Sequence, residues 1–220
     1  PGFLERPSLF KNIRNYESLI PILDKNKQIL SYAPRVIGSV LISQGEKTTG
    51  AKVFGIAPDK EANTTTIKNK VSEGIFLTDN INNDIVLGHA LAKILSVKIG
   101  DPIILMTQSA DGSMSNDKFN VIGILSEASD AMEARHAYLH IKTAQEFLVL
   151  GSRIHEIVIA LDDYNQSEKV SSELKKEITN LEISPWQEIE AEFYKAMTAD
   201  KTGIWIDLGI MLFIVSIGVL

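Results

Sequence analysis

Apolar residues near the start of the chain recur at helical spacing, at Phe10, Ile13, Ile20 and Leu23. They predict a helix over 10–26, with Ser8 as its N-cap and Pro21 bending it. The pattern then changes. Arg35–Ser43 and Lys52–Ile56 are rich in β-branched and aromatic residues, and Gly45 to Gly50 between them has turn chemistry, so a hairpin is expected. A short helix is expected over Thr64–Val71, a strand over Asp84–Leu87 and a helix over His89–Leu95. Pro102–Thr107 and Lys118–Leu125 read as two strands joined by the polar stretch QSADGSMSND, with Asp111-Gly112 at the exposed tip. Gly123 inside the second of these marks a bulge. A strand over Ala137–Ile141, a helix over Thr143–Leu150 closed by Gly151, and a strand over Ile154–Leu161 follow. Val170, Leu174 and Ile178 then place one apolar face on a helix over Asn165–Thr179.

The last pattern is the longest. Ser184-Pro185-Trp186-Gln187 reads as a helix start, with Ser as N-cap and Pro at the first helical position. Trp186, Ile189, Phe193 and Met197 continue one apolar face from there. From Gly203 to Leu220 the only polar side chains are Asp207 and Ser216. This run has no polar stripe of the kind a core helix shows, and it reads as the start of a transmembrane helix. Trp205 fits the membrane interface, and Asp207 lies one turn in. An unbroken helix from Pro185 to the end would be roughly 54 Å long at ~1.5 Å per residue, of which a bilayer core takes ~30 Å. The first half of such a rod would stand outside the membrane.

Composition narrows the chemistry. The net charge is -6 and no Lys/Arg block occurs, which excludes nucleic acid as a main partner and a polybasic lipid patch. The chain has no cysteine, which removes disulfides, thiolate metal ligands and thiol catalysis. His136 and His140 are four apart, but on a strand their imidazoles lie roughly 13 Å apart at ~3.3 Å per residue, too far for one metal. Asp111 to Asp117 superficially resembles a calcium loop. Its Gly is second rather than sixth, and no Glu falls at the twelfth position. There is no GxxxxGK[ST] and no GxSxG. No catalytic residue, cofactor or metal site is expected, and the chain reads as non-enzymatic.

Several stretches together resemble a known family. IVLGHALAKILSVKIGDPIILM, a hairpin and KFNVIGIL look like the extracytoplasmic domain of MacB-type ABC permeases. Within that group they are most similar to the LolC/LolE-like lipoprotein-release permeases of the FtsX superfamily. GAKVFGIAPDKE is similar to the family's "GI-x-P-x-x-E" strand end. PGFLERPSLFKN resembles the segment that follows the first transmembrane helix. ISPWQEIEAEFYKAMTADKTGIWIDLGIML resembles the Trp-bearing helix that runs into the second.

The resemblance implies an α+β fold in two subdomains: a discontinuous Porter-like part, 1–57 and 142–202, and an inserted β-rich Sabre-like part, 58–141. Residues 203–220 then begin transmembrane helix 2. It implies a permease subunit of the bacterial inner membrane with this domain in the periplasm. Its partners would be a cytoplasmic ATP-binding cassette subunit, a second permease copy or paralogue, and a lipoprotein or periplasmic partner. The work would be lipoprotein release or export, driven by mechanotransmission. An FtsX-like signalling permease that controls a cell-wall hydrolase is the other reading. The hairpin tip, Asp111, Gly112, Ser113 and Met114, is the expected contact with partner or cargo. Trp186, Ile189, Phe193 and Met197 mark the coupling helix, and Trp205 and Asp207 the membrane interface. The family's carrier-recruiting member uses an extended hairpin hook, and the hairpin here, Met106 to Phe119, reads as shorter and more polar.

Overall fold

A computed structural model describes residues 8–127 and 133–198 of the chain. These residues form two compact units, one up to Asp162 and one from Asp163.

The first unit is built on an eight-stranded sheet. β1 (Ile29–Gln44) and β2 (Lys47–Ile56) form the expected hairpin, longer than its apolar runs alone indicate. Its register runs without a break from Arg35↔Ile56 to Gln44↔Lys47. Only Gly45 and Glu46 turn the chain, and Gly45 has the left-handed φ of +57° that such tight turns need. β3 (Val71–Gly74), β4 (Asp84–Leu87), β5 (Pro102–Gln108), β6 (Met114–Leu125), β7 (His136–His140) and β8 (Glu156–Leu161) complete the sheet.

The pairings close on themselves. β1 pairs β2, β2 pairs β7 in parallel, β7 pairs β4, β4 pairs β6 in parallel, β6 pairs β5, and β5 returns to β1. β1 and β6 are long enough to reach past this ring. β8 runs beside the first half of β1, and β3 beside the end of β6. Closure removes most free edges, and with them the sites where sheets aggregate.

Alternation along each strand sorts side chains to the two faces. Val36, Val53, Ile85, Leu87, Ile103, Leu105, Phe119, Val121 and Leu139 face one buried core. α3 (His89–Leu95) and α4 (Ile141–Phe147) close this core with Leu91, Leu95, Ala144, Phe147 and Leu148. The residues between them, Ile37, Phe54, Ile56, Val86 and Tyr138, build a second core on the other face with Ile67, Phe76 and Leu77. The expected bulge is present. Ile85 pairs Val121 while Val86 pairs Gly123, so Ile122 is the extra residue. A Cβ on Gly123 would lie 2.3 Å from the Ile75 carbonyl oxygen, which accounts for the glycine.

Several expectations are corrected. Residues 10–15 are not helical. Ile13 instead bridges Ile154, and the helical part is a 3₁₀ turn over Tyr16–Leu19 leading into α1 (Ile20–Lys25), with Pro21 in its first turn. Proline is tolerated there because the N–H it lacks has no helical partner. The helix expected over Thr64–Val71 falls earlier, as α2 (Pro58–Thr64), with a 3₁₀ turn over Ile67–Lys70. A buried ion pair fixes α2. Arg35 on β1 donates from Nη2 and Nε to both carboxylate oxygens of Glu61 (2.5 and 3.1 Å), and from Nη1 to Glu156 on β8 (3.3 Å). Glu61 is fully buried, and Thr65 Oγ1 donates to it as well.

The second unit holds α5 (Ser167–Glu177), α6 (Trp186–Ile189) and a helical stretch over 191–198. Ser171 Oγ donates to the Ile183 carbonyl and Ser167 Oγ to Gln187 Oε1, so the chain after α5 folds back on it. Among the described residues, no helix is long and apolar enough to cross a membrane. Residues 203–220, with Trp205 and Asp207, lie outside the described residues.

Candidate functional site

The hairpin of β5 and β6 is longer than expected and its loop shorter. Pairing continues from Pro102↔Asn120 to Gln108↔Met114, which leaves only Ser109 to Ser113 as loop. The loop is tightly made. Ser109 N–H donates to the Ser113 carbonyl (2.8 Å) and Gly112 N–H to the Ser109 carbonyl (2.9 Å). Gly112 takes the left-handed φ of +88°. Asp111 accepts from both the N–H (3.0 Å) and the hydroxyl (2.6 Å) of Ser113, and these bonds hold its carboxyl below the usual carboxylate range. The structure therefore brings Asp111, Gly112 and Ser113 into one exposed turn. Met114 stands beside it on the strand, 73% exposed. Leu41 and Ile104 are exposed too, and Leu41 lies in register with Met106, which gives the hairpin's outer face an apolar strip.

One side of the loop is not free. The Ser109 hydroxyl donates to the Phe147 carbonyl (3.1 Å) and meets the Ser115 hydroxyl, and the Ala110 N–H donates to the Leu148 carbonyl (3.0 Å). Phe147 also packs edge-on against Phe119 of β6, with ring centroids 5.7 Å apart. The last turn of α4 thus touches the hairpin at both ends. Sequence reasoning missed Ser109, which reads as one more polar loop residue.

α4 ends differently from the expectation as well. The left-handed residue that closes it is Val149 (φ +54°), two residues before Gly151. Val149 N–H donates to the Glu146 carbonyl (3.1 Å) and Leu150 N–H to Gln145 (2.9 Å), the paired bonds of a Schellman cap. Gly151 also has a positive φ but lies outside the helix end.

The proposed coupling residues lie in the second unit. Trp186 Nε1 donates to the Tyr164 carbonyl (3.2 Å), and its ring meets Tyr164 and Tyr194 edge-on at 6.3 and 5.5 Å. Ile189 and Phe193 are exposed, at 52% and 63%, and Met197 is half-buried. The expected unbroken rod from Pro185 is not observed. Pro185 is itself the extended cap residue, Ser184 makes no capping bond, and α6 ends at Glu190 (ψ +48°) before the helix resumes. A straight helix would separate Trp186 and Tyr194 by ~12 Å along its axis. The break lets their rings meet.

Two histidines are structural. His155 Nδ1 accepts from the Ile37 N–H (2.9 Å) and His140 Nδ1 from the Lys142 N–H (3.2 Å), where it caps α4. Burial pushes both imidazoles below their ordinary pKa, against a smaller opposing effect of the Leu9 backbone at His155 and of Asp79 at His140. Among the described residues, no three His, Cys, Asp or Glu gather into a set that could hold a metal.

Known proteins resemble this chain in sequence and in fold. The family of MacB-like periplasmic core domains matches residues 10–177. The chain belongs to that family. As a MacB-like periplasmic core domain it is similar to the lipoprotein-releasing system transmembrane protein LolC of Neisseria meningitidis, 21% identical over 207 residues. That match covers 90% of this chain and 50% of LolC. It is also similar to the lipoprotein-releasing system transmembrane protein LolE of Haemophilus influenzae, 28% identical over 157 residues, covering 69% of this chain and 38% of LolE. The chain thus spans half or less of these relatives' length.

Two solved structures share the fold. One is the extracellular domain of the ABC-type transporter YknZ from Gram-positive bacteria, with a TM-score of 0.55 and 14% identity over 80% of this chain and 87% of that one. The other is the periplasmic region of MacB from Actinobacillus actinomycetemcomitans, with a TM-score of 0.52 and 22% identity over 73% and 72%. This MacB-like domain is α+β, as its sequence implies.

Proposed function

We propose that this MacB-like domain is the extracytoplasmic part of an ABC transporter permease subunit of the bacterial inner membrane, facing the periplasm and working in lipoprotein release or export. The observation that carries the reading is the family match over residues 10–177, joined to relatives named as lipoprotein-releasing transmembrane proteins. The apolar sequence of 203–220 supports it, as a membrane span would follow there. In this reading a separate cytoplasmic ATPase subunit supplies the energy, a second permease completes a dimer, and this subunit is not itself an enzyme.

The helical segment after Trp186 carries motion from the membrane to the domain, and Ile189, Phe193 and Met197 are the surface it presents to neighbouring parts of the complex. The break at Glu190 makes this a jointed lever rather than a rigid rod. Residues 58–141 form the inserted β-rich Sabre-like part, which carries the hairpin. The hairpin turn Asp111, Gly112 and Ser113, with Met114 beside it, is the contact with lipoprotein or a periplasmic partner.

The test has two arms. Affinity purification of the full-length protein from mild detergent is expected to bring down an ATPase subunit. A photo-crosslinking residue at Ser113 or Met114 is expected to label a lipoprotein or a periplasmic protein in living cells. If no ATPase accompanies the protein at any detergent tested, the permease reading is lost. Crosslinks found only elsewhere on the domain would discard the hairpin contact.

A further inference from the structure

The carbonyl groups of α4's last turn can be accounted for one by one. A helix leaves its last four carbonyls without helical donors, and buried ones must find partners. Here Gln145 and Glu146 are satisfied by the cap, from Leu150 and Val149. The next two, Phe147 and Leu148, are satisfied from outside the helix, by the Ser109 hydroxyl and the Ala110 N–H of the hairpin loop. The loop therefore completes the capping of α4.

The backbone at this cap is strained. Val149 holds a left-handed φ of +54° where glycine is usual. A β-branched residue there is a genuine outlier, and Val149 is 39% exposed, so core packing does not explain it. Strain of this kind persists where the surroundings over-determine the conformation. The Schellman pair and Arg153, whose guanidinium donates to the Val149 (3.1 Å) and Leu150 (2.6 Å) carbonyls, hold it here, and Ser109 and Ala110 dock on the two carbonyls just before it.

We infer that Ser109 is a positioning residue, which locks the β5–β6 loop onto the strained C-terminus of α4 so that Asp111, Gly112 and Ser113 are presented in one fixed direction. Ser109 is 2% exposed and touches no partner itself. Its hydroxyl donates to Phe147 O and takes the Ser115 hydroxyl as its donor, so one side chain ties together both strands of the hairpin and the helix. A binding loop held in this way does not lose freedom when it binds, which raises affinity without adding a contact. The inference rests on the reading of the hairpin turn as partner-facing, but its test does not need the partner.

The chain has no cysteine, so a pair introduced at Met114→Cys and Glu146→Cys, both exposed, takes spin labels at those positions alone. In the full-length protein, with any cysteine outside these 220 residues replaced by serine, this pair is expected to give one narrow distance distribution. Adding Ser109→Ala is expected to broaden it and to speed amide exchange at Ala110 to Met114 about tenfold, with exchange in β4 and β7 unchanged. Ser115→Ala, which leaves the bond to Phe147 possible, is expected to give a smaller change in the same direction. A distribution as narrow in Ser109→Ala as in the parent overturns the inference. So does exchange that rises equally across the sheet, which would mark Ser109 as an ordinary stabilising contact. The hairpin crosslink described above, made in the unaltered protein, tests the partner-facing reading separately.

Discussion

At the residue scale, the buried histidines tie the fold to pH. Burial depresses the pKa of His155 and His140 in the folded protein, while in the unfolded chain they titrate near the ordinary value of ~6.5. The unfolded state then binds more protons below that value, so their contribution to stability is complete above it and is lost as pH falls. The groups around them act in the same frame: Arg153 reinforces the depression at His155 and Lys142 at His140, with Asp79 opposing the latter. We expect the urea midpoint to drop between pH 7.5 and pH 5.5. We expect the drop to shrink in His155→Gln, whose amide oxygen can still accept from Ile37. An equal drop in the variant would assign the pH dependence to other groups. On β7, His136 and His140 stand at opposite ends of one strand, roughly 13 Å apart at ~3.3 Å per residue.

At the scale of elements, the decisive contacts are close approaches that only small residues permit. Gly55 on β2 lies under α4, and a Cβ there would lie 2.3 Å from the Ala144 Cβ and 3.2 Å from that of Val36. Gly55→Ala should therefore push α4 off the sheet and cost about 1–3 kcal/mol by overpacking. Ala144→Gly in the same chain removes the clash, and should recover part of that loss despite the ~1 kcal/mol penalty of glycine in a helix. Urea unfolding of the two single variants and the double variant measures both, and simple additivity would show that the two residues do not meet. The elements themselves were readable to differing degrees. β4, α3 and the bulge at Gly123 follow from local pattern. The start of β1 at Ile29 does not, because Pro34 and Ser31 interrupt the apolar run and only pairing with β8 extends the strand. Propensity puts the end of α4 at Gly151, because nothing local shows that Val149 takes the left-handed φ or that the loop at Ser109 reaches the carbonyls of Phe147 and Leu148.

At the scale of the whole unit up to Asp162, ring closure ties segments far apart in sequence into one sheet. β1 and β2, on one side of the expected insert boundary, pair with β5 and β7 on the other, and one core serves both. Segments so joined should unfold together. Native-state hydrogen exchange is expected to give core amides of β2 and β6 the same opening free energy and the same denaturant dependence. A lower-energy opening confined to 58–141 would show an insert that unfolds by itself. Parallel pairing of β2 with β7 and of β4 with β6 requires the chain to cross between distant strands, and no short-range signal encodes such partners. Local patterning reads strands and hairpins well for this reason, and rings poorly.

The sequence by itself determined the strands and helices with strong periodicity, the hairpin that carries Asp111-Gly112, the absence of cysteine chemistry and the family resemblance. These depend on side-chain spacing and turn chemistry within a few residues. Only the tertiary structure decided that the sheet closes through β1 and β5, that Glu61 is buried against Arg35, that the helix after Trp186 breaks at Glu190, and that Ser109 caps α4. Each of these is a contact between residues distant in the chain or on successive turns, where a buried polar group must find a partner and the fold alone brings one within reach.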